Sequence, residues 1–212
     1  MERNWASENL QVIRTLMERS TTYRRALAPM MLFTGCVGLL AAGLGYFCGI
    51  ESPGPFVGYW MGISLLPLTG CLFLARRQAL KESEPFWSPP LRRVAQALLP
   101  PLFIGVVVGI IVFFHVQSLN QAVGNVVAMC WLPLVWVILY GCAIHAAGFF
   151  MPRGMKFFGW VFILAGCGLF AWGIPDLPRG LYAHEVMGFF FGALHLAYGI
   201  YLYFTEKRKN AV

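Results

Sequence analysis

Apolar residues fall in six blocks along this 212-residue chain, at about 27–49, 56–75, 94–116, 125–150, 157–174 and 186–204. A run of about 18 residues or more is long enough to cross a hydrocarbon core roughly 30 Å thick as a helix. The blocks take up most of the chain, so no separate globular domain fits beside them. The pattern predicts an all-α membrane protein, a six-transmembrane-helix bundle over residues 27–205. Read in order, the blocks form three helical hairpins, with roughly 63 to 66 residues between successive odd blocks. Gly35-Cys36-Val37-Gly38-Leu39 in the first block has a counterpart in Gly166-Cys167-Gly168-Leu169 of the fifth. That texture fits either a true internal repeat or the similar hydropathy that a membrane imposes on any spanning helix.

Ahead of the first block, residues 7–25 have the period of a short amphipathic helix. Leu10, Ile13, Leu16 and Met17 share one face, with Gln11, Arg14, Glu18, Arg19 and Thr22 elsewhere. Such a helix lies on the bilayer surface, or docks onto a cytoplasmic protein or a second protomer. The division is then an N-terminal helical segment over 1–26, the membrane domain, and a basic tail over 206–212.

Charge gives the orientation. Of the 16 Lys and Arg residues, only Arg179 lies in an odd-numbered connection; the rest fall at the start of the chain, in the even-numbered connections or in the tail. Cytoplasmic loops are enriched in Lys and Arg, so both termini are expected in the cytoplasm. The net charge of +7 needs no nucleic acid to explain it, since loops at anionic headgroups account for it. The first block is too long and unbroken for a cleavable signal peptide.

Chemistry is limited mostly by what the blocks lack. All nine carboxylates lie between blocks or at their ends, and no Lys or Arg sits in the middle of one. Proton- and ion-coupled carriers usually place such groups inside the bilayer. No Gly-x-Ser-x-Gly, His-Glu-x-x-His or phosphate-cradling loop is present, and the six cysteines form no C-x-x-C pair. A hydrolase is therefore not expected.

Histidine remains. His195 is near the centre of the sixth block, and His145 is near the inner end of the fourth. His184, Gly188, Gly192, His195 and Gly199 share a helix face at 3.6 residues per turn, as do Gly141, His145 and Gly148. A face lined with glycine admits a closely packed helix, or a flat ligand such as haem or a quinone with an imidazole alongside. The two imidazoles differ in depth by roughly 6 Å at 1.5 Å rise per residue, which argues against one haem held by both. The alternative is a pair of neutral histidines hydrogen-bonded across helices. At the outer surface, His115, His184 and Glu185 supply nitrogen and oxygen donors of the kind zinc or copper takes, or a histidine that senses pH.

Pairs at GxxxG spacing recur at Gly45/Gly49, Gly58/Gly62, Gly105/Gly109 and Gly188/Gly192. They let backbones approach closely, within the bundle or between protomers. Pro67, Pro100, Pro101 and Pro133 lie inside blocks, where kinks are expected. Trp60 and Trp172 suit an outer aromatic belt and Trp160 an inner one.

Leu16-Met17-Glu18-Arg19-Ser20, with Tyr23-Arg24-Arg25-Ala26-Leu27-Ala28-Pro29 after it, resembles the opening of a group of uncharacterised bacterial multi-pass membrane proteins. The three-hairpin layout is also similar to the acid-stress-associated six-helix membrane proteins of bacteria. The resemblance implies a bacterial inner-membrane setting and lends no catalytic residue. The resulting expectation is a non-enzymatic scaffold, regulator partner or stress-related component. The alternatives are a haem or quinone protein using His145 and His195, and a carrier or pore for a small neutral solute.

Overall fold

A computed structural model of the chain describes residues 26–81, 83, 85–172 and 179–209. The N-terminal segment expected as an amphipathic helix lies outside the described residues. Among those described, the secondary structure is helical throughout, with no strand. Six helices are long and apolar enough to cross a membrane: Ala26–Phe47, Pro53–Lys81, Leu91–Val116, Ala122–Ala147, Gly154–Trp172 and Tyr182–Thr205. In that sense the chain is a multi-pass membrane protein.

Local chemistry sets the helix ends. The first span finishes at Gly49, whose φ of +62° suits a residue without Cβ. There the Ile50 N–H donates to the Gly45 carbonyl at 3.0 Å and the Gly49 N–H to that of Tyr46 at 3.1 Å, a Schellman closure. Helix Pro89–Val116 follows Ser88, with prolines in its first turn where missing N–H groups cost nothing. Asn120 caps the fourth span by accepting from the Val123 N–H at 2.9 Å.

Spans four and six each contain a π turn, at Val126–Trp131 and Gly188–Ala193. Pro133 follows the first of these; a proline ring crowds the carbonyl four residues back, here that of Met129, and the wider turn makes room for it. The turn in the sixth span involves no proline and contains Gly188 and Gly192.

Glycines settle the packing. Along the first and sixth spans, Gly35 abuts Leu196, Leu39 abuts Gly192, Ala42 abuts Gly188 and Leu32 abuts Gly199. These pairs form an antiparallel zipper in which each helix offers small residues to the other's larger ones. Spans four and five do the same. A Cβ on Gly159 would stand 2.6 Å from the His145 nitrogen and one on Gly141 2.9 Å from the Gly159 carbonyl, so backbone meets backbone.

Large side chains fill the rest of the core. Leu27, Val137, Met155, Phe158, Phe162, Phe190 and Leu202 form one buried cluster; Phe56, Val57, Trp60, Met129 and Met187 belong to a second. Burial is uneven. Half of the most apolar window of the fourth span is buried inside the protein, against 11% for the second and third. The fourth span is thus a central post, and the second and third present most of their surface outward.

Candidate functional site: two buried histidines

His195, on the helix beginning at Leu194, is 0% exposed. Its ring Nδ1 is 2.9 Å from the Phe190 carbonyl, and Nε2 is 2.7 Å from the Tyr140 hydroxyl of the fourth span. A carbonyl only accepts, so Nδ1 carries the hydrogen. Burying an unpaired charge is costly, so the ring is neutral and Nε2 accepts the Tyr140 O–H. The π turn contributes directly here. The Leu194 N–H reaches back five residues to the Phe189 carbonyl, and the imidazole meets the carbonyl of Phe190. Phe158, Phe162 and Phe191 surround the ring, with centroids at 5.3, 5.5 and 6.2 Å.

His184 has the same arrangement with the nitrogens exchanged. Its Nδ1 accepts from the Trp60 indole N–H at 3.3 Å, and its Nε2–H donates to the Ile50 carbonyl at 3.0 Å. Gly49 explains the second bond, since the left-handed turn at the end of span one aims the Ile50 carbonyl back at the ring. Phe56, Tyr59 and Trp60 face the imidazole from the second span, and the Tyr59 hydroxyl donates to the Ala41 carbonyl at 2.6 Å. Gly45 lies directly against the ring, leaving no space for a Cβ. His184 therefore joins the first, second and sixth spans.

The other two histidines stand apart. His145 Nδ1 is 3.4 Å from the Lys156 carbonyl, a long contact, and its ring meets Phe149 and Trp160 edge-on. His145 and His195 thus face different neighbours, and each imidazole contacts another helix without contacting the other. Exposed His115 donates to the Ile111 carbonyl of its own helix at 3.0 Å. Among the described residues no three His, Cys, Asp or Glu side chains gather as metal ligands. His115, His184 and exposed Glu185 are not gathered into such a group there.

Several sequence expectations change in detail. The face holding Gly141, His145 and Gly148 is filled by the fifth span, and the Gly188/Gly192 face by the first. Of the two occupants a glycine face admits, the structure shows a packed helix. Gly105 and Gly109 receive Trp136, whose indole N–H donates to the Gly105 carbonyl at 2.9 Å. Trp60, expected in an outer aromatic belt, is 4% exposed because its N–H is committed to His184, whereas Trp172 is 87% exposed.

Nothing in the sequence pattern marks Tyr140, or the contact of Thr34 Oγ1 with Cys71 Sγ at 3.6 Å between spans one and two. No protein-family model, curated protein or solved structure matches the chain.

Proposed function

We propose that this protein is a non-enzymatic component of a bacterial inner membrane, a scaffold or regulator partner that acts by binding other proteins. In this reading the six spans form three hairpins with both termini in the cytoplasm. The distribution of Lys and Arg supports the orientation, and the resemblance of the N-terminal residues supports the bacterial setting. One observation carries the functional conclusion. The buried groups that chemistry would draw on, His184, His195, Trp60 and Tyr140, are already spent on bonds between helices. Their geometry is that of internal ties holding a rigid frame, which suits a protein whose work is done at its surface.

A haem or quinone site at His145 and His195 has less support. An axial bond to His195 would displace the Tyr140 hydroxyl from the lone pair it occupies, inside a ring of phenylalanines. A neutral-solute carrier would have to open interfaces where glycines bring backbones into contact. The test is site-directed photocrosslinking in native membranes, with probes spread over both ends of the bundle. Discrete adducts to a second copy or to a specific partner are expected, and a protein that stays monomeric and uncrosslinked at every position contradicts the proposal.

A further inference from the structure

Where the first span leads into the second and the third into the fourth, a cleft of about 560 Å³ opens at the end of the bundle. The start of the second span contributes Pro53 and Pro55 to it, and the end of the third contributes Phe113, Val116 and Leu119. Its size falls within the roughly 300–1,000 Å³ of small-molecule sites. The Phe113 ring rests on Gly58 of the second span and meets Phe114 edge-on at 5.5 Å. The two proline rings fix their own backbone. The apolar lining is thus stiff, and little of it needs ordering when a ligand arrives.

Gly54 and Gly124 also line the cleft. Neither has the positive φ that calls for glycine. A Cβ on Gly54 would meet nothing within 4 Å, and one on Gly124 only ordinary contacts, 3.6 Å to the Val116 carbonyl and 3.7 Å to Pro53. Glycine weakens a helix relative to alanine. Neither packing nor backbone conformation asks for it at these positions, unlike Gly141 and Gly159. What the two share is the open space they border.

The lining also selects against charge. A helix start ordinarily draws anions through its free N–H groups. Here Pro53 and Pro55 have none, and the Phe56 N–H donates to the Ser52 carbonyl at 3.0 Å. Exposed Glu51, beside Ser52, repels anions further. At the end of the third span the His115 carbonyl, which could attract a cation, accepts from both the N–H and the hydroxyl of Ser118, at 3.0 and 2.8 Å. Among the described residues no charged side chain lines the cleft, whereas Ser52 and Gln117 bring a hydroxyl and a carboxamide that donate and accept. We propose that the cleft binds a small uncharged ligand with a flat apolar body, packed on the prolines and Phe113, and a carbonyl or hydroxyl oxygen bonded to Ser52 and Gln117. The proposal is independent of the protein partners proposed above.

The probe is coumarin, a flat neutral ring with a carbonyl, added to the full chain in micelles while thermal unfolding is followed. A ligand that binds only the folded state raises the midpoint. Coumarin is expected to do so, and 2-naphthoate and N-methylquinolinium, flat rings of either charge, are not. Gly54→Leu occupies the cleft and abolishes the shift, whereas Gly62→Leu, an open glycine elsewhere on the same helix, keeps it. Any effect of the probe on the micelle is common to all variants. At exposed Gln117, Gln117→Ala raises the coumarin needed for a given shift about three- to tenfold, and it decides the matter if Gly54→Leu fails to fold. The absence of a shift up to the solubility of coumarin overturns the proposal. So does a shift undiminished in Gly54→Leu and Gln117→Ala, or one matched by either charged ring.

Discussion

The Tyr140 hydroxyl donates to His195 Nε2 across 2.7 Å of buried interior, joining the fourth span to the sixth. The other nitrogen of the same ring is held by the Phe190 carbonyl, so the imidazole is fixed at both ends. Within an apolar core each of these groups depends on the other for its hydrogen bond. The pair is best regarded as one structural unit.

Removing both members should therefore cost less than the two single removals added together. Tyr140→Phe leaves the Nε2 lone pair unsatisfied, at about 1–3 kcal/mol. His195→Leu strands the hydroxyl and disturbs the π turn, with a loss of similar or larger size. Tyr140→Phe/His195→Leu is expected to be less harmful than the sum of the singles, with a coupling of about 0.5–1.7 kcal/mol. Reversible unfolding in mixed micelles measures the cycle, and strictly additive losses would show that the two residues do not act together.

Gly45 and His184 make a steric pair of a different kind. A Cβ at position 45 would run into the imidazole. Gly45→Val should push the ring off Trp60 and the Ile50 carbonyl, destabilising the protein by about 1–3 kcal/mol through overpacking and the lost bonds. Pairing it with His184→Ala should recover part of the loss by emptying the space. Trp60 fluorescence follows the local change, and an unaltered emission spectrum in Gly45→Val would refute the contact.

The glycines separate into working and idle ones. At Gly159 a Cβ meets the His145 and Gly141 backbones, whereas at Gly62 nothing lies within 4 Å. Gly159→Ala should destabilise the chain by about 1–3 kcal/mol, because backbone cannot give way as a side chain can. Gly62→Ala should be neutral or slightly stabilising, by up to about 1 kcal/mol of helix propensity. Thermal unfolding of the two single variants decides it, and equal effects would count against this assignment of the packing.

Hydropathy made the six spans legible, since length and apolar content alone separate a spanning helix from other structure. Their ends were less so. The second apolar block stops near residue 75, but the helix runs on to Lys81, because Arg76 and Arg77 end the hydrophobic signal without ending the backbone hydrogen bonds. The glycine stripes were visible, and their partners were not, because one sequence does not state which helix faces which.

The shared face assigned to His184 and His195 assumed 3.6 residues per turn throughout. The π turn Gly188–Ala193 lies between them and breaks that period, and the two rings meet different spans. Trp60 and Tyr140 were hidden for a related reason. An aromatic residue in an apolar run looks like a lipid anchor until a buried imidazole is found opposite its polar atom.

The central claim is that these histidines are internal ties, and histidine nitrogen NMR tests it most directly. The full chain, labelled with 15N-histidine, is reconstituted in lipid and the ring-nitrogen shifts are assigned with His184→Gln and His195→Gln. The account predicts two neutral rings of opposite tautomer, Nδ1–H at His195 and Nε2–H at His184. A His195 ring protonated on Nε2, or showing the shift of a metal-bound nitrogen, would contradict it and make that histidine a ligand.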